Sequence, residues 1–470
     1  MNKYVTGYEH QKYYPTFLKS LQDSLSVQDI ELQFVLFSDN MKNVLNCRNI
    51  YSYNPLAYEK MTQEIVEFEA GRIETNYEFT IKQAWFPDII QASKSQNTRR
   101  ISVPSEELND LNPLVKKFLF LEGLVKDNRY DILFSDGSPE VEMEFGRAIG
   151  LKLGIPIIKS YEGSFLGRTA LLRNTKFGKY SFIESDIYPE VNADQADRYI
   201  SNYIQKKAQP SYVGVKKNIY SESLWVKIQK KFKRDKINLI GSVLKIIIRA
   251  LKNVWLTLES SVFKIMLYSK FNPDQPYLFF GLHLGLESTV VLRSQPYTNQ
   301  ISLIEMLSRV LPYGYKLYVR EHPHWPKRFS YSYLKKANAF PNVKLLSPKH
   351  SIHEILTHAK GILVYNSNTG IESLFYDKPV LSFSDNLYYG HHPAVSQCSD
   401  LFELGEHLAK LINTKVSRKD TIQYVRKMLR STVDMSLGSD YFISEEDANQ
   451  KAEIISNMIA KSVEIVMRNE

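Results

Sequence analysis

The chain has 470 residues, of which 43% are hydrophobic and 24% charged, so it can build the cores of two or three domains and is not globally disordered. Two cysteines, Cys47 and Cys398, exclude a disulfide framework and lack metal-ligand spacing, which points to a reducing compartment. The net charge of +9 favours an anionic partner. The stretch Met1-Asn-Lys-Tyr-Val-Thr-Gly-Tyr-Glu-His10 has no apolar core of signal-peptide length, so a cytoplasmic protein is expected.

The first half predicts a strand over Leu32–Phe37 and another over Asp131–Ser135, which runs into Asp136-Gly-Ser-Pro139. A helix over Glu140–Leu153 and a buried strand over Ile155–Lys159 follow. That strand ends in Tyr161-Glu-Gly-Ser-Phe-Leu-Gly-Arg168. Between Lys216 and Lys252 the composition changes: eleven Lys or Arg face only two acids, Glu222 and Asp235, and Leu239, Ile240, Val243, Leu244, Ile246, Ile247 and Ile248 cluster among them. No run approaches the ~20 apolar residues a membrane span needs. Cations together with a dense apolar face describe a helix lying on an anionic membrane surface. The plainer alternative is an interdomain helix with solvated lysines.

The second half alternates strand and helix. Strands are expected at Tyr277–Gly281, Tyr315–Val319, Val343–Leu346, Ile362–Tyr365 and Val380–Phe383. A helix over Gln300–Leu311 carries Ile301, Ile304, Leu307 and Leu311 at helical spacing. Ser351 opens another, with Glu354 placed for a capping box. Thr369–Tyr376 forms a third, before the Asp377-Lys-Pro379 turn. Such alternation means parallel sheets joined by right-handed crossovers. Two α/β domains facing each other across a cleft is the simplest architecture.

Two loops carry the chemistry. His322, in Tyr318-Val-Arg-Glu-His-Pro-His324, follows one strand, and Asn366-Ser-Asn-Thr-Gly370 follows another. Polar loops at the carboxyl ends of neighbouring strands are where an open α/β sheet holds its ligand. His322 is placed to contact a donor phosphate or protonate a leaving group. Ser367, Asn368 and Thr369 offer hydroxyls and N–H groups at a helix N-terminus, a natural phosphate site, although the same residues are ordinary helix caps. Glu372, one turn on, is within reach of a ribose hydroxyl, or simply complements the helix dipole. In the first half, Glu162-Gly163 follows a buried strand and Asp136-Gly137 another; either carboxylate is a candidate general base facing the cleft, and either glycine a simple turn. His283, in Gly281-Leu-His-Leu-Gly-Leu-Glu287, and His391-His392 lack carboxylate or cysteine partners at ligand spacing, so no metal site is expected.

These pieces, in this order, resemble the capsule polysaccharide biosynthesis family of bacterial glycosyltransferases, which includes the β-Kdo transferases. Glu162-Gly163-Ser-Phe165 with Arg168 is similar to its acidic-Asp-Gly-Phe-x-Arg segment, and Leu282-His283 with Glu287 to the opening loop of its donor domain. Arg320-Glu321-His322-Pro323 is similar to its Lys-Glu-His-Pro. Asn366-Ser367 through Gly370, Glu372 and Lys378-Pro379-Val380 are similar to its Ser…Gly-x-Glu-Ala…Gly-Lys-Pro-Val stretch. Tyr161, Glu162, Arg320, Ser373 and Asp377 depart from the family's residues.

The resemblance implies an α/β protein of GT-B fold: two facing Rossmann-like domains, with a last helix near Glu445–Arg468 returning to the N-terminal one. The expected division is an acceptor-side domain over 1–210, the basic linker over 211–274, a nucleotide-sugar domain over 275–440 and the returning helix over 441–470. It further implies that Glu162 and His322 are catalytic. Arg320, Glu321, Ser367, Asn368, Thr369, Gly370, Glu372 and His283 would bind the donor, and Asp136, Gly163 and Arg168 would serve the acceptor side. The expected enzyme is a metal-independent glycosyltransferase without a cofactor. It would use a nucleotide sugar, CMP-Kdo-like, and a lipid-linked or oligosaccharide acceptor of capsule or lipopolysaccharide, at the inner face of the cell membrane. A CDP-polyol phosphotransferase of teichoic-acid type and a non-catalytic assembly protein are the competing readings. Nucleic acid is not an expected partner, since the basic stretch carries no recognition module.

Overall fold

A computed structural model describes residues 2–5, 14–37, 47–82, 84, 112–135, 141–165, 168–174, 180–183, 190–206, 255, 262–283, 299–322, 329–384, 389–435 and 444–468. Of the sequence expectations, Asp136 and the basic stretch 216–252 lie outside these residues.

The first sheet is built from β1 (Asn2–Val5), β2 (Gln33–Leu36), β3 (Ile50–Ser52), β4 (Leu133–Ser135), β5 (Ile157–Phe165), β6 (Arg168–Asn174) and β7 (Tyr180–Phe182). Helices α1 (Tyr14–Ser26), α2 (Gln63–Tyr77), α3 (Asn112–Asn128) and α4 (Val141–Leu153) connect them. The helix α5 (Ala193–Gln205) leads away. Its strand order is β3-β2-β1-β4-β5-β6, with β7 also on β6; β1 to β5 pair in parallel, and β6 runs antiparallel to β5.

The second sheet is wholly parallel: β8 (Tyr277–Gly281), β9 (Lys316–Arg320), β10 (Val343–Leu346), β11 (Gly361–Val364), β12 (Val380–Ser382) and β13 (Val395–Gln397), in the order β10-β9-β8-β11-β12-β13. Counted within the sheet this is 3-2-1-4-5-6, the doubly wound order of dinucleotide-binding folds. Helices α6 (Gln300–Val310), α7 (Tyr331–Ala337), α8 (Ile352–His358), α9 (Asn368–Phe375), α10 (Leu404–Asn413) and α11 (Arg418–Leu429) cover its two faces. Tyr277, Leu278, Phe279 and Phe280 of β8, and all four residues of β11, are buried. Continuous apolar runs of this kind are what a strand covered on both faces requires.

The chain then returns. A short strand β14 (Thr432–Val433) pairs antiparallel with β6, and α12 (Glu445–Arg468) lies along α1, with Ala448, Ala452, Ile455, Met458 and Ile459 in the first sheet's core. The α/β class and the returning helix are as expected. The crossing in the other direction comes early. Ala196, Ile200 and Tyr203 of α5 pack with Phe375 and the rest of the second sheet's core, so by packing the chain has left the first sheet before residue 210.

Three local expectations change. β5 does not end at Lys159 but continues through Phe165, because β6 folds back on it as an antiparallel partner. The register shifts between Tyr161 and Phe165, so Glu162 and Gly163 sit in an irregular strand pairing and not in a loop beyond it. Ser351 occupies the N-cap of α8 with extended dihedrals but makes no capping hydrogen bond, so no capping box forms. The two chemical loops do not follow adjacent strands: β8 lies between β9 and β11.

Candidate functional site

In a 3-2-1-4-5-6 sheet the strand order reverses between the first and fourth strands, and ligands bind outside the carboxyl ends there. Here those strands are β8 and β11, with β9 on the other side of β8. Their ends carry His283, Asn366 to Thr369, and Arg320 to His322, three segments distant in sequence that the sheet gathers at one edge.

The β8 end is held from below. The backbone N–H of Leu282 donates to the Arg320 carbonyl (2.9 Å), tying β8 to β9. Gln300, fully buried at the start of α6, grips both backbone groups of His283: its Oε1 accepts from the N–H (2.9 Å), and its Nε2 donates to the carbonyl (2.8 Å). The His283 ring stands edge-on to Tyr365, with centroids 5.1 Å apart. Burial, reinforced by neighbouring His322, pushes the His283 pKa down to about 3. His283 is therefore a neutral hydrogen-bonding group at neutral pH.

At the β9 end, consecutive residues separate. Arg320 is buried beside Phe279 (5.6 Å to the ring centroid), donates to the His350 carbonyl (2.7 Å) and faces Glu372. Burial lowers its pKa to about 10, against the pull of Glu372, so it remains cationic. Glu321 is completely buried. Its carboxylate accepts from Lys264 Nζ at 2.9 Å and from the Tyr268 hydroxyl at 2.5 Å. This corrects its expected role in donor binding: both oxygens are engaged inside the protein, and Glu321 anchors the strand end. His322 is half-buried, next to His283.

The β11 end forms the other wall. Asn366, Ser367, Asn368 and Thr369 are all half-buried, at the amino end of α9 where backbone N–H groups favour an anion. Ser367 is the N-cap, its hydroxyl accepting from the Thr369 N–H at 3.1 Å. A hydroxyl that accepts one bond still has a proton to donate, so capping and phosphate binding are compatible here. Gly370 also meets a packing requirement. A Cβ there would sit 2.5 Å from Cε2 and Cζ of the fully buried Tyr389, whose hydroxyl donates to the Ser367 carbonyl at 2.6 Å. Gly370 thus makes room for the ring that fixes the helix end.

Glu372, one turn into α9, is buried rather than open to a ligand. Burial pushes its pKa up to about 7, while Tyr203 of α5 and Arg320 pull it down. It is poised to titrate near neutrality beneath the site. Asp377 adopts the left-handed conformation (φ 54°) where the resembled family has glycine. Aspartate is among the few side-chain-bearing residues that occasionally adopt this conformation, which is compatible with the departure.

On the first sheet, Arg168 is held by the returning chain. Its Nε donates to Thr432 Oγ1 (2.8 Å), a second guanidinium nitrogen donates to the Thr432 carbonyl (3.0 Å), and Asp434 lies at 3.7 Å. Burial lowers its pKa, with Asp434 and Tyr199 opposing. It secures β14, where the chain returns. The side chains of Glu162 and Gly163, like Asp136, lie outside the described residues.

Gln300, Tyr365, Tyr389 and Tyr203 were not singled out from sequence. No motif marks Gln300 or Tyr203. Tyr365 and Tyr389 adjoin polar segments and carry no sequence signal of their own.

Fold and site together define an α/β protein of two Rossmann-like sheets, with its polar groups gathered at the switch point of the second. A family model described as "Capsule polysaccharide biosynthesis protein" matches residues 182–392. The match covers less than half of the chain; it includes Arg320-Glu321-His322-Pro323 and the Asn366–Glu372 stretch, but not Glu162 or Arg168. No curated protein matches the chain.

Among solved structures the chain is similar to the β-Kdo 2,7 transferase of Thermosulfurimonas dismutans KpsC, with 14% identity over 72% of this chain and 89% of that one (TM-score 0.33). It is also similar to the UDP-GlcNAc 2-epimerase of Methanocaldococcus jannaschii, with 12% identity over 91% and 99% (TM-score 0.27). Anabaena HepE, in complex with UDP-glucose, shows 11% identity over 97% and 99% (TM-score 0.26). At these TM-scores the fold rests on the strand order and not on the likenesses.

Proposed function

We propose that this protein is a glycosyltransferase of capsule polysaccharide assembly that binds a nucleotide-activated sugar at the switch point of the second sheet. The observation that supports this most is the convergence of His283, His322 and the amino end of α9 at the carboxyl ends of β8, β9 and β11. A helix N-terminus beside histidines suits the phosphate of a nucleotide donor. In this reading Ser367, Asn368 and Thr369 hold the phosphate through hydroxyl and N–H groups. His322 contacts the same phosphate or protonates the departing oxygen, and His283 donates a neutral hydrogen bond. Arg320 and Glu372 support the rim from below. Glu162, in the irregular part of β5, is the proposed general base for the acceptor hydroxyl, with Asp136 as the alternative.

The donor is proposed to be CMP-Kdo-like and the acceptor a lipid-linked or growing polysaccharide. The work would take place on the cytoplasmic face of the membrane, reached through the basic stretch 216–252. A thermal-shift screen of the full chain with CMP, CDP, UDP, GDP and their sugars tests the donor, since a ligand that binds only the folded state raises stability according to its concentration over Kd. A selective shift with CMP and CMP-sugars supports the proposal. A shift with CDP-polyols alone transfers it to the phosphotransferase class, and no shift with any nucleotide refutes it.

A further inference from the structure

The turn that precedes the second sheet leaves an apolar ridge bare. Val262, Phe263, Ile265 and Met266 are exposed, the last two at 62% and 79%, and Trp255 is exposed beside Phe263 (ring centroids 6.1 Å apart). Lys264, in the middle of the ridge, turns the opposite way: it is 1% exposed and ion-paired to Glu321. A lysine buried among outward-facing apolar residues inverts the usual arrangement. The ridge is fastened to the end of β9, one residue from His322.

Two exposed lysines adjoin the ridge. Lys270 is exposed four residues beyond Met266. Phe263 packs its ring on Tyr331 of α7 (6.1 Å), and Lys335, one helical turn further on the same face, is exposed. Neither Val262–Lys270 nor Tyr331–Ala337 contains an acid, and the eleven cations of 216–252 precede Trp255 in the chain. Trp, Phe, Ile and Met on a surface adjoined by lysines is the composition of an interfacial membrane contact. Among the described residues no helix is long and apolar enough to cross a membrane, so a contact of this kind would be peripheral.

We propose that the Trp255/Val262–Met266 ridge inserts into the headgroup region of an anionic bilayer, and that the buried Lys264–Glu321 pair holds this contact beside the His322 loop. The inference rests on the proposed use of a membrane-borne acceptor and specifies where the bilayer meets the protein. The rim of the site would then face the lipid on which an acceptor is carried.

The test is sedimentation of the full chain with vesicles of phosphatidylcholine alone, or with about half phosphatidylglycerol, at low salt and near 1 M salt, where screening shortens the reach of charge to about 3 Å. The variant Ile265→Ser/Met266→Ser alters exposed residues only and is expected to fold with unchanged thermal stability. Its binding to anionic vesicles should fall about tenfold at low salt, and the binding that survives high salt should disappear. Lys270→Gln/Lys335→Gln should lose several-fold at low salt and nothing at high salt. Unchanged vesicle binding by the serine variant overturns the inference. So does a wild-type chain that self-associates through the ridge, shown by light scattering in which the serine variant alone is smaller. Vesicle binding is read without nucleotide, so its failure leaves the donor proposal intact, and a chain that binds vesicles but no nucleotide refutes only the latter.

Discussion

Gly370→Ala is expected to destabilise the protein through Tyr389. The new Cβ would lie 2.5 Å from Cε2 and Cζ of the ring, and closer still to the hydroxyl oxygen, well inside ordinary van der Waals separation. Tyr389 is fully buried, so the ring cannot swing into solvent. Overpacking costs about 1–3 kcal/mol, and losing the 2.6 Å bond to the Ser367 carbonyl adds about 1 kcal/mol. Alanine's helix propensity returns at most about 1 kcal/mol. The net loss is then about 1–3 kcal/mol, read as a lower urea midpoint at unchanged slope. Tyr389→Ala alone leaves a cavity and should cost about 3–5 kcal/mol. In that background Gly370→Ala should cost nothing or stabilise, a coupling the double-mutant cycle isolates. A Gly370→Ala variant within about 0.5 kcal/mol of wild type, or one that costs the same with Tyr389 absent, would refute the steric argument.

Glu372 holds its proton more tightly in the folded chain, at about 7 against an ordinary 4.5. Its contribution is therefore fully present below about 4.5 and is lost as pH rises through about 7. Glu372→Gln should flatten this fall, and urea midpoints at pH 5 and pH 8 that drop equally in both proteins would count against it. His322→Ala should lower sugar transfer by about 10²-fold or more if the ring protonates the leaving group, with the urea midpoint preserved; near-normal turnover removes His322 from the mechanism. Gln300→Leu strands a buried N–H and carbonyl of His283 and should cost about 2–4 kcal/mol, checked by chemical denaturation, where a loss below about 0.5 kcal/mol shows that the pair finds other partners.

β8 was legible because its first four residues are buried on both faces and read as an unbroken apolar run; β10, an edge strand, was legible although the half-buried Lys344 interrupts its apolar residues. The polar segments after them were legible for the same reason, as abrupt ends to apolar stretches. α12 matches the expected Glu445–Arg468 and packs on α1. Strand order is a different matter. It depends on which crossovers pass which face, and so β8, with His283 just past its end, lies between the strands that carry the two loops.

The inward or outward turn of each residue at a strand end was likewise a tertiary decision. Glu321 and His322 are adjacent in the chain, yet Glu321 is drawn inside by a lysine 57 residues away. Arg168 is taken up by Thr432, 264 residues on, and Gly370 by Tyr389. Residue type and spacing along the chain determined which groups were available at the site. Partners remote in sequence decided which of them face it, because a buried charge or ring must be satisfied by whatever the fold brings within reach.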